Sequence, residues 1–248
     1  MGEEHRRGDV MVPYIAIVLA AGQGKRMKAG KNKQFIELNK KPLIVHTLER
    51  FIRDSWCQKI HLVVHRSDAE AMRKIVRNYQ LEDKLELVHG GEERQHSSYL
   101  GLKSLQVEGD HIVMIHDGAR PFIKQEYLHE LAEKAKRVGA ALLAVPVTDT
   151  IKQRIDDQLQ TLNRDTLWAA QTPQAFIYEK IMEAHEQARS EKFLGTDDIS
   201  LIERMSLPVE IVEGSVQNMK LTNPDDLLRA KWILEEWSEE NDSDRTRI

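Results

Sequence analysis

The chain has 248 residues and a net charge of −4 at pH 7, and 41% of its residues are hydrophobic. A chain of this length can bury a core of its own without disulfide or metal cross-links. Its acidic balance argues against a general nucleic-acid binder. No apolar run approaches the roughly 20 residues that cross a bilayer, so we expect no membrane span. The single cysteine, Cys57, allows no intramolecular disulfide, which predicts a cytoplasmic protein.

Short apolar runs alternate with helical patterns from residue 14 to residue 147. The predicted strands are 14–20, 60–65, 85–89, 111–117 and 140–147, and the main predicted helices between them are 43–54, 67–79 and 125–138. Strands of nearly continuous apolar character that are separated by helices indicate a mostly parallel sheet covered on both faces. We therefore predict an α/β fold with a single domain over residues 13–237.

Residues 148–170 interrupt this alternation. Polar and apolar residues alternate there around Asp156 and Asp157, which predicts a hairpin with few large apolar side chains. Because an isolated hairpin is marginally stable in water, either a second copy of the chain or the chain's own surface should cover it. Helices are predicted near 178–189, 198–205 and 224–237, with a strand at 208–213. The tails, residues 1–12 and 238–248, are polar and predicted to be disordered.

A basic loop follows the first predicted strand. Within VLAAGQGKRMKAGKNK (residues 18–33), two glycines precede a cluster of cations: Lys25, Arg26, Lys28, Lys31 and Lys33. The loop is not a dinucleotide fingerprint, because Met27 stands at the third glycine position. It is not a Walker loop either, because Arg26 follows Gly24-Lys25. Backbone N–H groups with nearby Lys and Arg suit a triphosphate; a solvated basic surface loop is the alternative.

Polar clusters also follow later strands. Asp117 ends the fourth predicted strand, where it could hold Mg²⁺ or simply cap a turn, and Arg120 could bind a second anion. GGEERQHSS (90–98) offers a glycine turn for a flat base or sugar, and Lys220 precedes the last helix. We find no catalytic Ser–His–Asp or Cys–His arrangement in the sequence. A phosphate monoester needs no general base as a nucleophile, since its second pKa is about 6.

The motifs together resemble a known family. LAAGQGKRM, GGEERQHSS, HDGARPF, PVTDTIK, NRDTLWAAQTPQ, TDD and NMKLT occur in this order. This set is similar to the 2-C-methyl-D-erythritol 4-phosphate cytidylyltransferases of the non-mevalonate isoprenoid pathway, over about residues 13–237. The resemblance implies a Rossmann-like three-layer α/β/α fold, and a protruding β-arm, residues 148–170, that dimerises the protein. It also implies Mg²⁺-assisted transfer of CMP from CTP to methylerythritol phosphate, with release of pyrophosphate.

The resemblance also implies residue roles. Arg26, Lys33, Arg164 and Lys220 would be catalytic. The nucleotide would contact Ala20, Ala21, Gly22, Gly24, Gly91, Glu92 and Ser97. The acceptor would contact Asp117, Arg120, Thr150, Arg164, Thr196 and Lys220, with Thr150 and Arg164 reaching over from the partner subunit, and Asp117 would hold the metal. Glu92 stands where some members have Asp, a difference at the position that would contact the base.

Three other functions remain as alternatives. Ribitol-5-phosphate cytidylyltransferases share most of the nucleotide site, but we expect a Ser-Val pair in them at Gly118-Ala119. A regulatory module that binds CTP without turnover is a second alternative. An NAD-dependent oxidoreductase is the third, and Met27 argues against it.

Overall fold

The computed structural model describes residues 11–22 and 32–245. The strands are β1 (Tyr14–Leu19), β2 (Glu37–Leu38), β3 (Lys41–Pro42), β4 (Cys57–Val64), β5 (Leu85–His89), β6 (Ile112–Asp117), β7 (Ala140–Pro146), β8 (Lys152–Ile155), β9 (Gln158–Thr161), β10 (Trp168–Ile177) and β11 (Glu210–Glu213). The α-helices are α1 (Leu43–Ile52), α2 (Ala69–Asn78), α3 (Arg94–Lys103), α4 (Gln125–Val138), α5 (Tyr178–Ser190), α6 (Ile199–Arg204) and α7 (Pro224–Arg245).

In these residues a seven-stranded sheet has the order β11-β7-β10-β6-β1-β4-β5. Strand β10 is antiparallel to both of its neighbours, and the other pairs are parallel. Every side chain of β1 is buried, as expected for an apolar strand with helices on both sides. Ala16 and Val18 pack with α1, α2 and α4, whereas Ile15 and Ile17 pack with α3, α5 and α6. The predicted three-layer α/β/α fold is confirmed.

Strand β10 was not predicted from the sequence. It lies within NRDTLWAAQTPQAFI (residues 163–177), where Pro173 and the polar residues Gln171, Thr172 and Gln174 hide the strand pattern. Proline lacks the N–H that a central strand needs, so a run that contains it does not look like one. The pairing of β10 with β7 is in fact irregular between Ala170 and Gln174, on either side of this proline.

The hairpin in the structure is shorter than the predicted β-arm. Strands β8 and β9 form a separate two-stranded sheet in which every residue is exposed. Asp156 and Asp157 make the turn with φ of 45° and 65°, as expected for a two-residue hairpin loop. Trp168–Ala170, the last residues of the predicted β-arm, belong instead to β10 and pair with β7 of the central sheet.

The predicted tails differ from the structure at one end. Helix α7 continues past residue 237 to Arg245, so residues 238–245 are helical where the sequence predicts disorder. Residues 1–10 lie outside the described residues. Among the residues that the structure describes, no helix is both long and apolar enough to cross a membrane.

The carboxyl ends of the parallel strands place several polar motifs side by side. The last residues of β1 and β6, Leu19 and Asp117, are register partners. Gly118 donates its N–H to the Leu19 carbonyl at 2.9 Å, and Gly90 donates to the Val64 carbonyl at 2.8 Å. The loops after β1, β5 and β6 therefore leave the sheet at one edge, where ligands of open α/β sheets bind.

Candidate active site

A cavity of about 270 Å³ opens at this edge of the sheet. Its walls come from the loops after β1, β5 and β6 and from the segment before α7. The lining residues are Leu19, Ala21, Gly22, Lys33, Gln34, Gly91, Glu92, Glu93, Arg94, Ser97, Asp117, Ala119, Lys220 and Thr222. Eight predicted site residues are in this set: Ala21, Gly22, Lys33, Gly91, Glu92, Ser97, Asp117 and Lys220.

Asp117 is a buried carboxylate surrounded by cations. Its Oδ2 lies 2.8 Å from Lys220 Nζ and 3.9 Å from Arg120 Nε, and its Oδ1 lies 3.3 Å from Arg94 Nε. Burial alone would raise the pKa of Asp117, but the charges of these three side chains outweigh it and hold the pKa well below its usual range. Asp117 is therefore ionised at neutral pH.

Main-chain carbonyls orient two of the predicted cations, Lys33 and Arg120. Lys33 Nζ donates to the Leu221 carbonyl at 3.0 Å, and Arg120 Nη1 donates to the Asn218 carbonyl at 2.7 Å. Both carbonyls belong to the segment that carries Lys220. Lys33, Arg120 and Lys220, which are far apart in the sequence, thus meet at one segment beside Asp117.

Arg94 is a functional candidate that sequence reasoning missed. It is the first residue of α3, and its Nη1 lies 2.7 Å from Oδ2 of Asp198 while its Nε faces Asp117. Asp198 is 1% exposed and also contacts His185 Nε2 at 3.1 Å. The only signal for Arg94 is its position as the one cation within the GGEERQHSS motif. Nothing in the local sequence reveals its bond to Asp198, 104 residues away.

The glycine pair after β5 allows a close approach of two loops. A Cβ on Gly90 would lie 2.7 Å from Ala21 Cβ and 2.9 Å from Ser97 Oγ, closer than real side chains approach. Gly91 donates its N–H to Ser97 Oγ at 3.2 Å. Ala21 and Ser97 therefore approach each other across Gly90, where no side chain would fit.

Several predicted residues lie away from the cavity or outside the description. The Ala20 side chain is buried in the hydrophobic core. Thr196 is exposed in the segment before α6, and Thr150 and Arg164 lie at the base of the β8–β9 hairpin, where Arg164 Nη1 donates to the Thr148 carbonyl at 2.8 Å. These residues are not in the cavity wall of a single chain. Gly24 and Arg26 lie outside the described residues.

The single carboxylate of Asp117 fits a metal site in which substrate phosphates supply the other ligands. Within residues 11–22 and 32–237, no group of three or more His, Cys, Asp or Glu side chains could enclose an ion. Mg²⁺ does not require such a group, because it is commonly held by one or two carboxylates together with substrate phosphates. Asp117 is an ionised carboxylate in the cavity wall, so the residues fit Mg²⁺ that arrives with a nucleotide.

This arrangement suits charge neutralisation better than proton transfer. The lining has three cations, Lys33, Arg94 and Lys220, and three carboxylates, Glu92, Glu93 and Asp117, and none of the lining residues in the described part of the chain is a histidine. Asp117, the carboxylate beside the cations, is paired with two of them and stays ionised. Cations held in a partly enclosed site stabilise developing negative charge without reorganisation. The cavity can therefore bring two anionic reactants together.

Comparison with protein families gives a match over almost the whole chain. The model of the family described as IspD, 2-C-methyl-D-erythritol 4-phosphate cytidylyltransferase, matches residues 14–236. Two enzymes with that name, from Geobacillus kaustophilus and Shouchella clausii, are 53% and 54% identical to the chain. Each match covers 89% of this chain and 96% of the relative.

Solved structures agree with the sequence comparison. The 4-diphosphocytidyl-2C-methyl-D-erythritol synthase of Anaerococcus prevotii superposes with a TM-score of 0.80 at 29% identity, covering 91% of this chain and 98% of that one. The 2-C-methyl-D-erythritol 4-phosphate cytidylyltransferase of Francisella tularensis superposes with a TM-score of 0.76 at 31% identity, covering 89% and 99%.

The buried Arg94–Asp198 pair predicts a loss of stability in acid. Burial would raise the pKa of Asp198, but Arg94 and His185 lower it to about 2. In the unfolded chain an aspartate has a pKa near 3.9, so between about pH 4 and pH 2 the native state binds fewer protons than the unfolded state. The free energy of unfolding therefore decreases as the pH is lowered through this range. We expect Asp198→Asn to cost about 3 kcal/mol at pH 7. Its urea-unfolding free energy should also decline less than that of the wild type from pH 4 to pH 2. If the unfolding free energies of the wild type and of Asp198→Asn declined equally from pH 4 to pH 2, the lowered pKa of Asp198 would be contradicted.

Proposed function

Because the chain belongs to the 2-C-methyl-D-erythritol 4-phosphate cytidylyltransferase family, it is a nucleotidyltransferase, and we propose how its cavity performs the reaction. The enzyme transfers CMP from CTP to 2-C-methyl-D-erythritol 4-phosphate, giving 4-CDP-2-C-methyl-D-erythritol and pyrophosphate. The observation that carries the proposal is that Lys33, Arg94 and Lys220 line one cavity beside the ionised Asp117.

The chemical step consists of one bond formed and one bond broken at phosphorus. An oxygen of the acceptor phosphate attacks the α-phosphorus of CTP in line, and the bond to the β-phosphate oxygen breaks, so that pyrophosphate leaves with its electron pair. The acceptor phosphate is already an anion at neutral pH, since its second pKa is about 6, and no side chain has to remove a proton. The enzyme has only to align the reactants and neutralise their charges.

The cations divide this work. Lys33 is oriented by the Leu221 carbonyl at the cavity wall, which supports a role in stabilising the α-phosphate as charge builds up on it. Arg26 would share this role, as the resemblance implies, although it lies outside the described residues. Lys220 faces Asp117 at 2.8 Å and would contact both substrates. Arg94, by its position, adds a third cation to the nucleotide site.

Mg²⁺ is the metal that we propose for this site. Asp117 would hold it together with phosphate oxygens of the nucleotide, since a single ionised carboxylate with phosphates is a common Mg²⁺ environment. When bound, Mg²⁺ would supply positive charge that neutralises the triphosphate and the departing pyrophosphate. Arg94, Arg120 and Lys220 keep Asp117 ionised and so keep its oxygens able to act as ligands.

The two sides of the cavity suit different parts of the nucleotide. Ala21 and Gly22 present main chain after β1, which suits the triphosphate; Gly24 would extend this contact and Ala20 would support it from the core. Gly91, Glu92 and Ser97 line the part of the cavity after β5, which suits the cytosine and ribose. The proximity of the two walls supports a single nucleotide that spans them.

Residues for the acceptor would come from two subunits. Arg120 and Lys220 lie beside Asp117, and Thr196 lies before α6. Thr150 and Arg164 are not in the cavity wall of their own chain, so we propose that they reach the cavity of a partner subunit. The β8–β9 hairpin supports a homodimer, because Ile155 and Leu159 are 52% and 71% exposed and such apolar side chains suit a protein interface.

We propose that the protein is located in the cytoplasm. The buried, unpaired Cys57 is consistent with a reducing cytoplasm. We also propose that residues 13–237 act as one catalytic domain.

The direct test is turnover. With CTP and Mg²⁺, the purified protein should release pyrophosphate when methylerythritol phosphate is added, and ribitol phosphate should compete poorly. Pyrophosphate release with ribitol phosphate as the better acceptor would support the alternative cytidylyltransferase. CTP binding without pyrophosphate release from either acceptor would support a regulatory module.

A site shared between two subunits predicts that two impaired variants restore activity when they form mixed dimers. Arg164→Ala should raise KM for the acceptor by about 10- to 100-fold, because it removes a charged contact. Arg154→Ala, on the exposed arm but paired with Asp157, is the matched control and should leave KM unchanged. Mixed dimers of Arg164→Ala and Lys220→Gln should regain activity, because one of their two sites has both native residues.

Mixing would not restore activity if Arg164 served its own subunit, because each chain would then have a damaged site. That outcome, or an effect of Arg164→Ala confined to CTP affinity, would contradict the proposed placement.

A further inference from the structure

The segment 218–222, between β11 and α7, organises the cations of the site. Lys220 extends from it to Asp117, and its carbonyls at Leu221 and Asn218 accept hydrogen bonds from Lys33 and Arg120. Two cations of the cavity wall, Lys33 and Lys220, and Arg120 beside Asp117 therefore depend on the position of five residues of main chain. A displacement of this segment would move all three together.

The first part of the segment is fixed by the core. Asn218 is buried, and its Nδ2 donates to the Thr172 carbonyl at 3.0 Å. Leu221 is also buried, within a cluster that includes Leu38, and its N–H donates to the Ala119 carbonyl at 2.9 Å. These contacts anchor residues 218–221 on the side of the sheet, but not the turn that follows into α7.

One carboxylate oxygen fixes that turn. Oδ2 of Asp226 accepts hydrogen bonds from Thr222 N at 2.7 Å, from Thr222 Oγ1 at 3.0 Å and from Asn223 N at 2.9 Å. Burial would raise the pKa of Asp226, but these bonds outweigh it and lower the pKa. Thr222 lines the cavity next to Lys220, so this oxygen holds the edge of the cavity wall.

We propose that Asp226 is a positioning residue for the transfer reaction. Asp226 is not among the residues found to line the cavity. It would act by fixing the peptide unit between Leu221 and Thr222, one residue after Lys220, because the N–H of this unit donates to Asp226 and its carbonyl accepts from Lys33. This inference rests on the proposed function, since it assigns these cations to the reacting phosphates.

A helix cap alone would not have this effect, and the chain contains a matched control. Asp225 is also in the first turn of α7 and is exposed, so it interacts with the same helix dipole. The three bonds to residues 222 and 223, however, end on Asp226. Alanine at either position removes one negative charge from the same turn, but only Asp226→Ala removes the bonds that fix the end of the segment at Thr222 and Asn223.

The experiment compares Asp226→Ala with Asp225→Ala in the full chain. We expect Asp226→Ala to lower kcat by about 10- to 100-fold, because a shift of about 1 Å in a positioned group costs that much. Asp225→Ala should stay within about twofold of the wild type. Amide exchange at residues 219–223 should accelerate in Asp226→Ala only, which is a readout independent of activity.

Two further variants separate positioning from loss of stability. Asp226→Asn keeps a carbonyl oxygen that can accept the same bonds, so it should recover most of kcat and remain folded if the alanine variant does not. In a Lys220→Gln background, Asp226→Ala should cost less than in the wild type, because one of the cations that it positions is already absent.

The outcomes are distinguishable from failure of the proposed function. A wild-type protein that makes no pyrophosphate overturns the proposed function, and the exchange data still decide whether Asp226 fixes the segment. If the wild type is active but the two alanine variants have equal kcat, the positioning role of Asp226 is overturned and the proposed function stands. The same holds if amide exchange at residues 219–223 is unchanged in Asp226→Ala.

Discussion

The ionised carboxylate of Asp117 is the constraint on which the rest of the site depends. A buried charge is costly unless it is paired, and Asp117 has Arg94, Arg120 and Lys220 around it. These partners lie in three separate parts of the sequence, so the fold has to bring α3, the loop after β6 and the segment before α7 together. Even with Asp198, the second carboxylate bound to Arg94, these three cations leave an excess of positive charge next to Asp117, which suits the phosphates of the two reactants.

The antiparallel strand β10 connects this charge cluster to the sheet. Thr172 accepts the N–H of Asp117 with its hydroxyl at 3.0 Å, and its carbonyl accepts from Asn218. Gln174, two residues on, accepts the N–H groups of Asp198 and Ile199 at 3.1 Å each. Strand β10 thus contacts three site segments, two of them through main-chain N–H groups and the third through the Asn218 side chain, which accounts for the polar residues Thr172 and Gln174 in a central strand.

Much of the fold and part of the site could be predicted from the sequence. The apolar runs at β1, β5 and β7 predict strands close to those observed. The structure has Lys33, Asp117 and Lys220, which come from separate parts of the sequence, in the wall of one cavity, and their roles stay predictions. Strand β10 was missed because Pro173 breaks its pattern. The Arg94–Asp198 pair could not be predicted, since local periodicity carries no information about partners that only the folded chain brings together.

The dependence of kcat on pH tests the central claim most directly, because kcat reports the ionisations of the enzyme–substrate complex. With saturating CTP, Mg²⁺ and methylerythritol phosphate, we predict that kcat is level between about pH 7 and 9, since the acceptor phosphate, with a second pKa of about 6, is already ionised there. An increase of about tenfold per pH unit in that range would show that a side chain has to lose a proton. That result would contradict transfer by charge neutralisation alone.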